Sequence, residues 1–173
     1  MKPSIAFTLL IATAIARGDD FDTWFGASPD NKLFAVERRI PSPDEPSRLD
    51  LDSSTVFIST AEDGVRRSLI AQHTFPGRVV SQIRWSPDSQ FLLFTTASSG
   101  GHSPWHFNTF VFCAADKSFR DVQTALHTTV GAADFHFEPP DIAVLTVNVV
   151  PAETVKEIKL ALGKAAQQME RLP

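Results

Sequence analysis

The chain contains one cysteine, Cys113, and no tyrosine among its 173 residues, and its 16 lysine and arginine residues are outnumbered by 20 aspartate and glutamate residues. A single cysteine can neither close an intramolecular disulfide nor form a multi-cysteine zinc site, so the fold must depend on its hydrophobic core. The net charge of −4 argues against a nucleic-acid binder that relies on attraction to phosphates. With 43% hydrophobic and 21% charged residues, the composition is that of a globular protein and excludes collagen, a coiled coil or a disordered tail.

Short motifs of common catalytic sites are also missing from the sequence. It contains no Gly-x-Ser-x-Gly, no Gly-x-x-x-x-Gly-Lys and no His-Glu-x-x-His. Cys113 lies in an apolar stretch, where a buried and unreactive thiol is expected rather than a catalytic one. We therefore expect a protein that is not an enzyme and that uses no cofactor.

The N-terminus has the pattern of a secretory signal peptide. Lys2 supplies a positive charge, and residues 5–15 form an uncharged apolar run that ends in small-x-small sites. The run is shorter than the ~20 residues of a membrane-spanning helix, and Asp19, Asp20 and Asp22 lie just after it, where a stop-transfer segment would have a cluster of basic residues. We expect residues 1–16 to be a signal peptide and residues 17–173 to form one secreted or periplasmic domain without a membrane span. The alternative is a buried N-terminal helix of a cytosolic protein.

An internal repeat organises the remaining sequence. Residues 28–36, which begin Ser-Pro-Asp, align without a gap with residues 86–94, and a weaker third copy covers residues 138–145. In each copy a short strand enters a turn and an apolar strand leaves it. Proline presets φ at the first corner of such a turn, and aspartate accepts a backbone N–H within it. The alternative is that Ser-Pro-Asp is simply a common turn sequence that occurs twice.

The strands around these turns are predicted from runs rich in Val, Ile, Phe and Thr. Several are apolar at consecutive positions, as expected of strands buried on both faces. Each unit then has the content of a propeller blade, four short antiparallel strands, with repeats at approximately 21–74, 79–123 and 131–164. The predicted strands cover residues 21–26, 33–40, 55–60, 67–73, 79–85, 91–97, 108–114, 118–122, 132–137 and 142–150.

The C-terminal segment fits two patterns. Apolar residues from Val155 to Met169 recur at three- and four-residue spacing, as in a helix, whereas positions 158, 160 and 162 alternate as in a half-buried strand. We favour a strand that ends at Leu162, followed by a short helix over residues 164–171.

The motif Trp85-Ser86-Pro87-Asp88 and the apolar strand after it resemble the WD-repeat-like, TolB-type propeller repeat, whose core reads Trp-Ser-Pro-Asp-Gly. Copy one has Ala27 in place of the tryptophan. The glycine after the aspartate is absent from all three copies, where Asn31, Ser89 and Asp141 stand instead. The resemblance implies a periplasmic scaffold role and an all-β fold of about three four-stranded antiparallel propeller-like blades.

Three blades are too few for a closed propeller, which normally has ~4 to 8. The chain would then be an incomplete or open propeller with a short C-terminal helix. Chains could associate as a homo-oligomer to complete a ring, the three sheets could form an open stack, or the chain could be a shortened relative of a larger protein. Unpaired sheet edges attract partners, so an interaction role is expected.

Two groups of polar residues are candidate binding sites. The first lies in a loop between two strands, where two histidines are too few to hold zinc by themselves. The second alternates with Phe135 and Phe137, so a strand would place its three polar side chains on one face. That face could supply an acid, a base or an oxygen-rich metal site, or it could be a solvated surface. The two groups are His102, Trp105 and His106, and Asp134, His136 and Glu138.

These features predict an exported, non-enzymatic binding or scaffold protein. Its partner is expected to be a protein or an envelope component rather than a nucleic acid. The alternative is a small metal-dependent or hydrolytic enzyme that uses Asp134, His136 and Glu138.

Overall fold

The computed structural model describes residues 21–40, 52–62, 65–98, 107–149 and 154–173. Within these ranges the fold is mostly β, with antiparallel sheets of four and eight strands and a few very short helices. None of the helices in these parts of the chain is long and apolar enough to cross a membrane. The expected all-β class is therefore confirmed.

Every predicted strand is present, and its ends differ from the predicted ones by at most two residues. The elements are β1 (Phe21–Ala27), β2 (Leu33–Ile40), β3 (Ser53–Glu62), β4 (Val65–Phe75), β5 (Arg78–Trp85), β6 (Phe91–Ser98), β7 (Phe107–Cys113), β8 (Ser118–Asp121), α1 (Gln123–Leu126), β9 (Val130–Glu138), β10 (Ile142–Val149), β11 (Thr154–Ala161), α2 (Leu162–Ala165), a 3₁₀ helix (Ala166–Gln168) and β12 (Glu170–Arg171).

The strands form three consecutive antiparallel meanders, which we call unit 1 (β1–β4), unit 2 (β5–β8) and unit 3 (β9–β11). Unit 1 is a separate sheet. Units 2 and 3 belong to one sheet because β7 and β9 meet at a single residue pair, Phe107 and Val130. In the described residues, unit 3 has three strands rather than the four that the repeat predicted.

Unit 2 is buried on both faces. Successive residues of β6 point alternately to two cores, so that Leu92 and Phe94 face unit 1 whereas Phe91 and Leu93 face unit 3. This alternation explains the consecutive apolar positions of β6 and β7, since a strand between two layers has no solvated face. We call these the first core (Ala35, Val56, Ile58, Phe75, Ile83, Leu92, Phe94, Phe110, Phe112 and Phe119) and the second core (Phe91, Leu93, Val111, Cys113, Val122, Phe135, Ala143, Leu145, Leu162, Ala165, Ala166 and Met169).

The first core explains part of the preference for phenylalanine over tyrosine. Five of its ten buried residues are phenylalanines, and their rings meet edge-on or tilted, with centroids 4.7 Å apart for Phe75 and Phe110 and 5.3 Å apart for Phe112 and Phe119. A tyrosine at such a position would need a hydrogen-bond partner for its hydroxyl.

The Ser-Pro-Asp turns of units 1 and 2 have the same hydrogen bonds. In unit 2 the buried hydroxyl of Ser86 donates to Asp88 Oδ1 (2.6 Å) and accepts the N–H of Phe91 (3.0 Å). In unit 1 the hydroxyl of Ser28 donates to Asp30 Oδ1 (2.7 Å) and accepts the N–H five residues further on (3.0 Å). In both turns the aspartate Oδ1 also accepts a backbone N–H, from Lys32 (3.2 Å) in unit 1 and from Gln90 (3.1 Å) in unit 2, so this part of the predicted turn chemistry is confirmed.

The residue after each of these aspartates has left-handed backbone, with φ of 59° at Asn31 and 66° at Ser89. These are the positions at which the propeller repeat has glycine, the residue that adopts this conformation at no steric cost. Asp141, at the third turn, is not in this conformation.

The C-terminal segment, residues 154–173, differs in part from the prediction. The strand is confirmed as β11, but the helix begins at Leu162, ends at Gln168 and is followed by β12, so the predicted helix over residues 164–171 is wrong at both ends. Asp141 fixes the start, because its carboxylate accepts the N–H of Gly163 (2.8 Å). Pairing of residues 170–171 with β8 ends the helix.

Side chains also attach the C-terminal segment to unit 2. The buried guanidinium of Arg120, on β8, donates to the carbonyl of Ala166 and to the carboxylate of Asp116. Arg171 donates to the same carboxylate. Although burial raises the pKa of Asp116, hydrogen bonds from Ser118 and Arg120 hold it below the ordinary value, so the carboxylate is charged at neutral pH.

Candidate binding surfaces

The first predicted group of site residues, His102, Trp105 and His106, lies outside the described residues. The proposal that this loop presents a binding patch stays a prediction.

The second predicted group lies on β9 with the expected alternation. Asp134 and His136 are exposed, whereas Phe135 between them is 5% exposed and belongs to the second core. Glu138, which is half-buried, is bound by the ammonium of Lys159, with Nζ 2.6 Å and 2.9 Å from its two carboxylate oxygens. Two of the three side chains thus face solvent, and the third is held in an ion pair.

Metal binding was one chemistry considered for this face. Across the described parts of the chain, no group of three or more His, Cys, Asp and Glu side chains is arranged to hold a metal ion. Burial raises the pKa of the Cys113 thiol to about 11, so this group is a neutral thiol at physiological pH rather than a nucleophilic thiolate.

The three turns contact one another in the order of the chain. The N–H of Asp30 donates to the hydroxyl of Ser89 (2.9 Å), and the N–H of Asp88 donates to the carbonyl of Pro140 (3.3 Å). Asp30, Asp88 and Pro140 are equivalent positions of the repeat. We call this arrangement the turn series. Sequence alignment found the three copies but not that they touch.

Polar contacts also connect neighbouring units along their first strands. The side-chain amide of Gln82 donates to the carbonyl of Phe135 (2.8 Å) and accepts its N–H (2.9 Å). The indole of Trp85 donates to the carbonyl of Gly26 (3.3 Å), so the tryptophan of the motif connects unit 2 to unit 1. Each unit is thus held to the next by a polar contact between their first strands.

A shallow cleft of about 460 Å³ lies between the loop after α1 and the ends of β10 and β11. Its walls combine apolar side chains with the cationic Lys156 and with His127, an exposed residue in left-handed conformation (φ 52°). No sequence pattern pointed to this cleft because three separate segments form it: Leu126, His127, Thr128, Thr129, Val147, Asn148, Lys156 and Ile158.

One long edge of unit 3 directs backbone groups away from the sheet. The N–H of Leu162 donates to the carbonyl of Asp141 (3.2 Å), so these opposite residues form a hydrogen-bonded pair. Because such pairs alternate in an antiparallel ladder, every second residue of β11 directs its N–H and C=O away from β10. In the described residues no strand pairs with this edge. The outward-facing residues, whose backbone N–H and C=O groups point away from β10, are Val155, Glu157, Lys159 and Ala161.

The whole chain was compared with known proteins. No protein-family model matches it, and a search of the curated proteins finds no significant match. The relation to TolB-type propeller repeats is therefore a prediction that rests on the residues of the turns and strands described above.

Proposed function

We propose that the protein is an exported, non-enzymatic scaffold built from three TolB-type, propeller-like units that binds a protein or envelope component. The observation that carries this proposal is the turn series. Contacts between equivalent turns, and cores shared between neighbouring units, support a propeller-like arrangement of the three units. The units therefore supply a rigid support on which loops and edges can be displayed.

The proposed location follows from residues 1–16, with their positive start, apolar run and small-x-small sites. Residues 17–173 carry more acidic than basic side chains, which suits a protein released into an extracytoplasmic space. The polar face of β9 and the loop with His102, Trp105 and His106 are the proposed contact regions.

The proposed unit arrangement is an open stack rather than a ring completed by a second copy at unit 3. In units 1 and 2 the repeat position occupied by Asp30 or Asp88 donates a backbone N–H to the next turn. In unit 3 this position is Pro140, which has no N–H. A further unit stacked on unit 3 would receive no equivalent hydrogen bond from this position, so the turn series ends there.

The experiment that tests the proposal combines N-terminal sequencing with site-specific photo-crosslinking in the cells of origin. A photoreactive residue replaces exposed His136 in one variant and exposed Ser68, on unit 1, in a control. We expect a chain that begins at residue 17 in the envelope or secreted fraction, and a crosslinked partner at position 136 that is absent at position 68.

Two results would contradict the proposal. An uncleaved chain in the cytosol would overturn the exported location. A stoichiometric metal in the purified protein, together with a hydrolytic activity lost on His136→Ala, would establish the alternative enzyme instead.

A further inference from the structure

We propose that a second copy of this chain pairs with the free edge of β11, antiparallel and strand to strand, about a two-fold axis at Ile158. This names one partner of the scaffold but depends only on the geometry of β11. It can therefore fail while the proposed function stands, and the reverse also holds.

The edge has the form that strand addition requires. β11 pairs with β10 over all eight residues without a register shift, so its free edge is regular. Val155, Glu157, Lys159 and Ala161 direct their N–H and C=O groups outwards. An added strand satisfies all of these groups, as in β-augmentation generally.

The charges on this edge select the partner and the register. Outward-facing residues must oppose outward-facing residues, because only these form hydrogen-bonded pairs. A two-fold axis at Glu157 would place two glutamates opposite each other, and an axis at Lys159 would place two lysines opposite each other. An axis at Ile158 instead places Glu157 of each copy opposite Lys159 of the other, so β11 is self-complementary in this register.

The existing contact of Lys159 does not conflict with this pairing. Its ammonium has three N–H donors, so it can bind Glu138 of its own chain and Glu157 of the second copy at the same time. The side chains on the core face of β11 are also compatible with this register. Ile158 and Leu160 are half-buried against the second core, and the pairing would extend that layer by bringing Ile158 against its copy.

The register also covers an exposed apolar side chain. Val155 is 59% exposed, the largest exposure among the large apolar residues of the described chain that stay at the surface. Ala161 of the second copy would lie opposite Val155, which would remove part of this surface from water.

The first experiment measures mass by light scattering over a concentration series, using the exported chain as purified. We expect the wild-type chain to dimerise. Glu157→Lys places lysine opposite Lys159 and Lys159→Glu places glutamate opposite Glu157, so each variant alone should dimerise at least about tenfold more weakly. An equimolar mixture of the two restores opposite charges at every pair and should form a heterodimer.

A matched control separates the interface from the intrachain ion pair. Glu138→Gln removes the partner of Lys159 within the chain but lies outside the pairing edge, so this variant should dimerise as the wild type does. Circular dichroism of each variant establishes that it is folded.

A second experiment reads the register directly. Only position 158 meets its own copy, and the Cα atoms of opposite residues lie close enough for a disulfide. Ile158→Cys should therefore form a covalent dimer on oxidation, whereas Leu160→Cys should not. A wild-type chain that is monomeric throughout the series, a dimer that the charge changes leave unaltered, or a mixture that does not associate would each overturn the proposal.

Discussion

At the scale of single residues, the Ser-Pro-Asp turns depend on the hydroxyl groups of a few serines. Ser86 is fully buried, and its hydroxyl serves Asp88 and Phe91 at once. Ser89 has left-handed backbone, and its hydroxyl accepts the N–H of Asp30 in unit 1. Glycine would relieve the backbone at this position but would remove the hydroxyl, so serine here favours the contact between units over local stability.

We predict that Ser86→Ala lowers the free energy of unfolding by about 1–3 kcal/mol, because a buried N–H and a carboxylate lose their partner. Ser81→Ala, at an exposed position of β5, should change it by less than about 0.5 kcal/mol. Urea denaturation of both variants measures the difference. Equal effects of the two substitutions would show that the turn does not need the hydroxyl.

Cys113 provides a second prediction at this scale. Burial raises the pKa of its thiol to about 11 from an ordinary value of 9.0, so at pH 8 its thiolate fraction should be roughly one hundredth of that of an unperturbed thiol. Reaction with a chromogenic disulfide should therefore be at least about a hundredfold slower in the native chain than in urea. Rapid labelling of the native chain would contradict this.

At the scale of elements, the ends of strands and helices are set by neighbours distant in sequence. The C-terminal segment has both helical and strand periodicity. Asp141 sets the boundary between β11 and α2, because its carbonyl accepts the N–H of Leu162 and its carboxylate accepts the N–H of Gly163. A Cβ atom added at Gly163 would lie 2.9 Å from the Asp141 carboxylate, so this glycine permits the close approach.

We predict that Gly163→Ala destabilises the chain by about 0.5–1 kcal/mol, because the added Cβ displaces the Asp141 carboxylate and α2 loses this cap at its start. Lys164→Ala, at the exposed next position, is the control and should be neutral within about 0.5 kcal/mol. Thermal unfolding followed by circular dichroism compares the two. A stable Gly163→Ala chain would mean that the cap is dispensable.

At the scale of the whole molecule, unit 2 is shared between two cores, so the three units cannot separate without exposing one of them. Phe94 lies in the first core and Leu93, the next residue along β6, lies in the second. Both are fully buried. The C-terminal segment adds a further connection, since Leu172 donates its N–H to Phe119 of β8 and packs against the first core.

We predict that Phe94→Ala and Leu93→Ala each cost about 2–5 kcal/mol and shift one common unfolding transition, because each leaves a cavity between two units. Tryptophan fluorescence and far-UV circular dichroism should give coincident transitions for both variants. Two separate transitions would indicate that units 1 and 3 unfold independently.

The local features of this protein follow directly from its amino-acid sequence. The Ser-Pro-Asp turns, the strands around them and the alternation of Phe135 with Asp134 and His136 depend on residues a few positions apart, so their patterns can be read directly. The turn series, the pairing of β12 with β8, the cleft near His127 and the edge of β11 that no described strand pairs with become visible only in the folded chain. Each of these depends on which strand lies beside which, and that choice comes from burying unit 2 between two cores rather than from any single segment.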